Sequence, residues 1–435
     1  MQKHRSASGV FNIRNYEYSA DILRYGQSFE KRLYYHGIVE KNKLLRVKMF
    51  LSNVEVSVIV PVLNTRDYIQ ECLDSIRKQT LESIEVICVD GGSTDGTLDI
   101  INDYVKSDNR FLLVTDTKGS YGAQVNRGFE LAKGRYLAIA EPDDYVSVTM
   151  YEDLFGEAID SQADIVRSDY CRFIGEPNER FFFQKSACDK KWYYKDLNSY
   201  EEKDLLENTP ANWSGIYKRS FLENNRILHN TTKGAAYQDL GFWFLTFTLA
   251  KKIRFIPTTG YYYRIDNPNS SINAKDKSEC LKAELSWLKE QLIERKLYDE
   301  YRDKYLRIEM IHTGWMKRKT EGIKKSECFK RITNSRNDSC FLFGCGADGV
   351  DYLMTLKKEG LLSKISYLTD NDSTLWGKKM LGISVLSPDD VLEKSKTTYK
   401  NEYLFIISTT RYAEIIANQL VNGGIKVENI LRIDN

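Results

Sequence analysis

Two apolar runs separated by an amphipathic stretch stand out early in the chain. The first run, residues 56–60, is rich in valine and isoleucine and ends at Pro61. The second run, residues 84–89, ends in Asp90 and a turn of small residues. Apolar positions between them, from about 68 to 79, recur with a helical period. The pattern therefore predicts a strand, a crossover helix and a second strand parallel to the first.

The same alternation of strands and helices continues toward the middle of the chain. Short apolar runs predict strands, and longer amphipathic stretches predict helices between them. An aromatic and polar stretch over 181–213 lacks clear periodicity, so we expect an insert of loops and short helices there. The predicted strands are 111–114, 136–140 and 164–167, and the predicted helices are 122–132 and 150–161.

The C-terminal part has a different character. Residues 276–336 are highly charged and carry leucines at helical spacing, which predicts a helical connector. From residue 337, an apolar run leads into Gly344, Gly346 and Gly349 and then a helical stretch. Strand, glycine turn and helix predict a small Rossmann-like domain over 337–435. A bound nucleotide and a purely structural role both remain open for it.

Length and charge limit the class of protein. A chain of 435 residues is too long for one core, so we expect two or three domains. The formal net charge of +2 argues against a nucleic-acid-binding protein.

The first 53 residues are predicted to form a helical extension that is rich in basic residues. Residues 1–50 carry ten Lys/Arg against four Asp/Glu. This extension is either a solvated surface or a contact with an anionic membrane.

The location of the protein is predicted from its apolar segments and cysteines. The longest apolar stretch, near 242–250, is much shorter than a membrane span, and the N-terminus has no apolar signal-peptide core. The eight cysteines form no CxxC pair, so we expect free thiols in a reducing compartment. We therefore expect a cytoplasmic protein, with peripheral contact at the inner face of the cytoplasmic membrane as an option.

Acidic residues follow the predicted strands where ligands bind in parallel sheets. Asp90 follows the second strand, and Glu141, Asp143 and Asp144 follow the strand at 136–140. Because the carboxyl ends of parallel strands share one edge, these side chains are expected to lie close together. Clustered carboxylates repel one another unless a cation or hydrogen-bond donors compensate.

Four blocks of sequence, in order, resemble family 2 glycosyltransferases with the GT-A fold. They are the strand–helix–strand unit with its glycine turn, residues 119–144, the Tyr237-Gln238-Asp239 block, and residues 261–271. The resemblance covers about 54–273, and the GT-A domain is expected over 54–275. It implies an α/β fold: a GT-A domain, a helical connector and a small C-terminal Rossmann-like α/β domain.

The resemblance also implies roles in binding a nucleotide-sugar donor. Asp90 would hold the nucleoside, and Asp143 would bind Mn²⁺ or Mg²⁺ beside the diphosphate, with Glu141 and Asp144 assisting or holding ribose. Arg264, expected on a loop, would clamp the diphosphate. The remaining donor-side candidates are Pro61, Leu63, Asn64, Asn126, Arg127 and Ser271. Each of these residues could instead have a purely structural role, such as a turn, a salt bridge or local packing.

On the acceptor side the resemblance implies that Asp239 is the catalytic base. Gln238 stands where the family usually has glutamate. Trp213, His229 and Tyr237 are candidates for shaping the acceptor pocket, because aromatic faces suit sugar rings. Each of them alone is also compatible with ordinary packing.

The sequence and the resemblance together imply an inverting, metal-dependent hexosyltransferase. It would move a sugar from a nucleotide-diphosphate donor, expected to be a UDP-sugar, to a saccharide or lipid-linked acceptor. The motifs are similar to those of bacterial enzymes that build capsule or lipopolysaccharide. Two alternatives stand beside this interpretation: a non-catalytic scaffold that binds sugar nucleotides, and a bifunctional enzyme with an NAD-binding C-terminal domain.

Overall fold

A computed structural model of the protein describes residues 54–208, 210–270, 278–317, 326–397, 403–409 and 412–433. The predicted basic extension and the candidate Ser271 lie outside these residues. In the described part, no helix is long and apolar enough to cross a membrane. All eight cysteines are free, and all but the partly buried Cys280 are buried.

The strands fall into two groups along the chain. The N-terminal strands are β1 (Val56–Val62), β2 (Ile84–Asp90), β3 (Phe111–Thr115), β4 (Tyr136–Ile139), β5 (Tyr145–Val146), β6 (Ile165–Ile174), β7 (Phe181–Lys185), β8 (Gly215–Lys218) and β9 (Ile253–Arg264). The C-terminal strands are β10 (Cys340–Phe343), β11 (Ile365–Thr369), β12 (Lys379–Met380), β13 (Ile383–Leu386), β14 (Leu404–Ile407) and β15 (Ile430–Arg432).

Helices separate most of these strands. They are α1 (Ile69–Arg77), α2 (Thr97–Ser107), α3 (Tyr121–Leu131), α4 (Met150–Ser161), α5 (Arg219–Asn225), α6 (Gln238–Leu249), α7 (Ser278–Glu294), α8 (Tyr298–Lys317), α9 (Glu327–Asn334), α10 (Ala347–Lys358), α11 (Pro388–Thr397) and α12 (Ala413–Asn422).

The N-terminal strands form one mixed sheet in the order β3-β2-β1-β4-β8-β6-β9-β5, with β7 paired to β6. Strands β3, β2, β1 and β4 are parallel neighbours, as the apolar runs predict. Strand β8 runs antiparallel between β4 and β6. The mixed α/β fold expected from the sequence is confirmed.

Pro61 does not end β1, as the sequence suggested, because the strand continues to Val62. The Ile59 carbonyl accepts from the Ala140 amide. The backbone N–H and C=O groups of odd-numbered residues in β1 therefore point toward the neighbouring strand β4. Strand β4 ends at Ile139, before it could pair with Pro61. The missing N–H of proline therefore costs no ladder hydrogen bond.

The two faces of the first sheet pack against different helices. Ile59 joins a core with Val125 and Phe129 of α3 and several residues of α6. Val58 and Val60 face the other side, where they pack with α1, α2 and α4. This period of two places helices on both faces, so the carboxyl edge of the sheet is the open end.

Two predictions for the middle of the chain are corrected. The strand predicted over 164–167 continues to Ile174 and pairs with β7 in a hairpin, where the sequence suggested only loops and short helices. Arg264 ends strand β9 rather than lying on a loop. Consecutive aromatic residues in β7 and β9 obscure the alternation that predicts strands.

The C-terminal strands form a second sheet in the order β12-β13-β11-β10-β14-β15. The strands from β13 to β15 pair in parallel, and β12 is antiparallel to β13. Ile174 and Phe181 of the β6–β7 hairpin share a core with this sheet. Arg172 also forms an ion pair with Asp351 of α10. The second sheet is thus packed directly on the first domain.

Candidate functional site

The loops after β1 and β2 are joined by hydrogen bonds at the carboxyl edge of the first sheet. The amide of Asn64 donates to Oγ of Ser93 over 2.9 Å, and Oδ1 of Asn64 accepts from the amide of Thr94 over 2.9 Å. Leu63 beside them is 51% exposed, whereas Pro61 is buried in the strand. Leu63 and Asn64, in the loop after β1, are therefore the residues that a ligand at this edge could contact.

Asp90 ends β2, as predicted, but its carboxylate is used within its own turn. It accepts hydrogen bonds from the amides of Gly92 (2.8 Å) and Ser93 (3.1 Å) and is only 1% exposed. Gly92 has φ of 103°, a backbone conformation that favours glycine. The carboxylate shapes the glycine turn, so its direct access to a nucleoside is limited in this conformation.

Glu141 is a partly buried carboxyl group at the end of β4. Its Oε1 accepts a hydrogen bond from the hydroxyl of Tyr121, at the start of α3, over 2.6 Å. Burial raises the pKa of Glu141 to about 8, and the charges of Asp143 and Asp239 add to this despite the Tyr121 hydrogen bond. Segments about one hundred residues apart therefore bring carboxyl groups into one electrostatic environment.

Asp143 and Asp144 differ in how they are held. Asp143 accepts from Nδ2 of Asn267 over 2.7 Å, and burial raises its pKa. Asp144 is 2% exposed and accepts from the Tyr261 hydroxyl (2.8 Å) and the Arg264 amide (2.7 Å). Burial and the neighbouring Asp143 raise the pKa of Asp144 well above its usual value. Asp144 thus anchors the acidic turn to β9.

Arg264 is a buried residue that holds the turn containing Asp143 and Asp144 by hydrogen bonds. It is 4% exposed, and its Nε donates to the Asp143 carbonyl over 3.1 Å. Its Nη2 donates to Glu71 of α1 over 3.0 Å, and its guanidinium carbon lies 4.6 Å from the Phe173 ring centroid. These contacts hold the guanidinium inside the protein, which argues against its predicted role as a clamp on the diphosphate.

Asp239 is the second residue of α6 and is partly buried. Tyr237 precedes the helix in a left-handed conformation with φ of 67°. The side-chain amide of Gln238 donates to the carbonyls of Thr232 (2.9 Å) and Gly234 (3.0 Å), which fixes the loop before the helix. The negative charge of Asp239 contributes to the raised pKa values of Glu141 and Tyr121. The predicted base and the acidic turn therefore lie close together.

An aromatic stack borders the acidic residues. Trp213 lies parallel to Tyr263, with ring centroids 5.0 Å apart, and also stacks on Tyr261 at 4.4 Å. Burial raises the pKa of the Tyr263 phenol well above its usual value, and the carboxylates of the acidic turn and Asp239 contribute. Trp213 is thus near the acidic residues, as its candidacy for the acceptor side requires.

Three other candidates have contacts that argue against direct binding. His229 is 2% exposed and stacked on Phe242, with ring centroids 4.1 Å apart, so it belongs to the core. Asn126 exchanges two hydrogen bonds of 2.9 Å with the backbone of His229. Arg127 pairs with Glu130 on the same helix, at its surface. These side chains stabilise α3 and its neighbouring loop.

Several residues that hold the site were missed by the sequence analysis. Tyr121, Asn267 and Glu71 contact Glu141, Asp143 and Arg264, respectively. Only Tyr121 could have been recognised from the sequence, because it follows Ser120, a typical capping residue. Ser120 caps α3 by accepting from the Ala123 amide. A residue at a helix start near strand ends could have been selected on that ground. The other contacts join segments that are distant in sequence.

The acidic turn has the chemistry to hold a hard divalent cation. Asp143 and Glu141 supply carboxylate oxygens, and each carboxyl has a raised pKa, so a cation would relieve unfavourable charge. In the described part of the chain, no group of three or more His, Cys, Asp or Glu is arranged so that it could hold a metal ion by itself. That is compatible with Mg²⁺ or Mn²⁺, which often complete their coordination with substrate phosphate and water.

Comparison with known proteins finds glycosyltransferases among both family models and individual relatives. The family model for Glycosyl transferase family 2 matches residues 57–224. Glycosyltransferase GlyG of Streptococcus pneumoniae is 32% identical over 213 residues, covering 48% of this chain and 70% of GlyG. The uncharacterized glycosyltransferase EpsJ of Bacillus subtilis is 31% identical, covering 49% of this chain and 62% of EpsJ. The matched region is thus less than two thirds of the length of EpsJ.

Among solved structures, residues 1–349 of TarS from S. aureus superpose with a TM-score of 0.49 at 19% identity. The superposition covers 64% of this chain and 78% of that chain.

Proposed function

The chain belongs to glycosyl transferase family 2, and we propose that it transfers a sugar from a nucleotide-diphosphate donor to a hydroxyl group of an acceptor. The observation that carries the proposal is a chain of contacts between Asp239 and the acidic turn. Asn212 donates to the Asp239 carbonyl over 2.8 Å, and the adjacent Trp213 stacks on Tyr261, whose hydroxyl donates to Asp144. The charges of Asp239 and Asp143 also contribute to the raised pKa of Glu141. A base on one side and a carboxylate-rich turn on the other are the two groups that such a transfer needs. The GT-A domain supplies both from separate segments.

In the proposed reaction Asp239 is the general base. Its carboxylate takes the proton of the acceptor hydroxyl as that oxygen attacks the anomeric carbon. The new carbon–oxygen bond forms while the bond to the diphosphate breaks, and the diphosphate leaves with the electron pair. Such a single displacement inverts the configuration of the anomeric carbon. Because Asp239 lies in the first turn of α6, the helix dipole stabilises its charged form.

Asp143 is proposed to hold the divalent cation, with Glu141 as its neighbour. A bound Mg²⁺ or Mn²⁺ supplies positive charge that stabilises a departing diphosphate. The residues of this chain prepare that position: Asn267 orients Asp143, and Tyr121 orients Glu141. Leu63, Asn64 and the glycine turn after Asp90 are proposed to border the nucleoside.

The acceptor is proposed to be a saccharide or a lipid-linked saccharide of a cell-surface polymer. A relative in Bacillus spizizenii, 30% identical over 49% of this chain, is a poly(ribitol-phosphate) beta-glucosyltransferase. Trp213 and Tyr263 are proposed to line the acceptor side, since aromatic rings pack well on sugar rings. Contact of the basic residues 1–50 with an anionic membrane surface remains part of this proposal.

The proposal is tested by a screen of nucleotide sugars with the full chain. Thermal stabilisation is measured with each donor, with and without Mn²⁺, and turnover is then followed by nucleoside diphosphate release and mass spectrometry of the product. We expect a UDP-sugar to stabilise the protein only with the cation and to be consumed when acceptor is added. Donor binding without turnover would favour the scaffold alternative, and the absence of binding for every donor would overturn the proposal.

A further inference from the structure

Helix α6, which carries Asp239, begins after Tyr237, and the side chain of Tyr237 makes no capping hydrogen bond. The first amides of a helix have no partner within the helix and need one elsewhere. The amide of Gly241, the fourth residue of this helix, is buried and donates to a partner in another element.

Glu284 of the connector helix α7 supplies that partner. Its side chain is fully buried, and Oε1 accepts a hydrogen bond from the Gly241 amide over 2.9 Å. The position of Gly241 requires a glycine, because a methyl group there would lie 2.4 Å from Oε1 of Glu284. The connector and α6 are thus in direct contact at the turn that carries Asp239.

The second oxygen of Glu284 reaches the loop before α6. Oε2 accepts from Nδ2 of Asn230 over 2.9 Å. Oδ1 of Asn230 accepts in turn from the amide of Thr232, whose carbonyl accepts from Gln238. One carboxylate therefore joins both the loop and the first turn of α6.

We propose that Glu284 is a positioning residue that caps α6 from the connector and thereby fixes Asp239 beside the acidic turn. The inference rests on the proposed function for the role of Asp239, but the cap itself is independent of it. It also assigns part of the functional site to a helix beyond residues 57–224, the segment that matches the family model.

The energetics favour a positioning role over simple packing. A carboxylate at the N-terminus of a helix interacts favourably with the helix dipole, and hydrogen bonds to a charged acceptor are stronger than neutral ones. Burial, with the nearby charge of Asp239, raises the pKa of Glu284 to about 8, and the hydrogen bonds from Asn230 and Gly241 act against this shift because they favour the charged form. Packing alone would not offset the free energy that burying this carboxyl costs, whereas its two hydrogen-bond donors offset part of it.

The test compares Glu284→Gln with the double variant Asn230→Asp/Glu284→Gln in the full chain. Glutamine can still accept from Gly241, but its NH₂ group then faces the NH₂ group of Asn230. In the double variant the glutamine amide donates to the new carboxylate, so both hydrogen bonds can form again. Glu290→Gln is the matched control, because Glu290 lies on the same helix and is exposed.

Three quantities are measured: kcat, donor affinity, and amide hydrogen exchange of residues 238–244. We expect Glu284→Gln to lower kcat by roughly tenfold to a hundredfold, to leave donor affinity within about twofold, and to accelerate exchange. The double variant should recover most of kcat. A kcat within twofold of the parent, or a loss of kcat and affinity together without recovery, would overturn the inference.

The exchange measurement keeps this test separate from the proposed function. If the parent protein transferred no sugar from any donor, the proposed function would fail, while faster exchange in Glu284→Gln would still establish the cap. If exchange were unchanged, the cap would be refuted whatever the activity.

Discussion

The hydroxyl of Tyr121 donates a 2.6 Å hydrogen bond to Oε1 of Glu141. This contact joins the start of α3 to the end of β4, and the charge of Asp239 reaches the same two side chains. Three segments that are separate in sequence therefore meet around one partly buried carboxyl group. The predictions below test what each of the surrounding residues does.

Asp239→Asn is expected to lower kcat by roughly a hundredfold to ten-thousandfold, because asparagine cannot accept the acceptor proton. Donor affinity should stay nearly unchanged, since the base acts in the chemical step. Steady-state kinetics and donor titration check this. Asp299→Asn, the same change in the first turn of α8 at an exposed site, is the control. A large loss of donor affinity would contradict the role of Asp239.

Asp143→Asn is expected to raise the Mn²⁺ concentration needed for half-maximal donor binding by roughly tenfold or more, because a charged oxygen ligand is lost. Calorimetric titration of donor at several Mn²⁺ concentrations measures the change. Asp99→Asn, at an exposed site of α2, should behave as the parent protein. An unchanged cation requirement would exclude Asp143 as the main ligand.

Arg264→Lys is expected to reduce the free energy of unfolding by about 3 kcal/mol. Lysine cannot reproduce the hydrogen bonds to the Asp143 carbonyl and Glu71 from a buried position. Urea unfolding measures the loss, and Arg127→Lys on the surface of α3 should change it by less than about 0.5 kcal/mol. Unchanged stability with a large loss of donor affinity would instead favour the diphosphate clamp.

His229→Phe is expected to make the protein less sensitive to acid. Burial lowers the pKa of His229 to about 3 in the folded protein, against an ordinary value of 6.5. Between these values the unfolded chain binds the additional proton, so the free energy of unfolding falls as the pH is lowered. The expected slope is up to about 1.4 kcal/mol per pH unit below 6.

Phenylalanine can keep the stacking on Phe242 without titrating. Urea unfolding of both proteins at pH 7.5, 6 and 5 should therefore show an advantage for the variant that grows toward acid. Parallel losses in the two proteins would show that His229 is protonated without cost in the folded state.

The strand ends at the carboxyl edge could be predicted from the sequence. Continuous apolar runs followed by Asp90 and by Glu141 identify buried parallel strands and the positions just beyond them. That spacing is local, so no tertiary information is needed. The placement of these acids and of Asp239 at helix or strand ends follows from the same patterns.

The contacts of Arg264, His229 and Glu284 could not be predicted in this way. Their partners lie far along the chain, as the bond between Arg264 and Glu71 shows. Burial of a charged side chain depends on which distant segments pack over it, and an isolated sequence pattern favours exposure for such residues. The structural roles of these side chains therefore became apparent only from packing.

The second sheet covers Ile174 and Phe181, two apolar residues of the first domain, and the connector helix provides Glu284 to α6. A protein shortened to residues 54–273, the part that resembles family 2 glycosyltransferases, would leave these two residues open to water and the amide of Gly241 without the Glu284 side chain. Such a fragment would be expected to self-associate and to lose activity even though every acidic residue of its reaction centre were still present. We therefore expect the smallest active fragment of this protein to extend beyond residues 57–224.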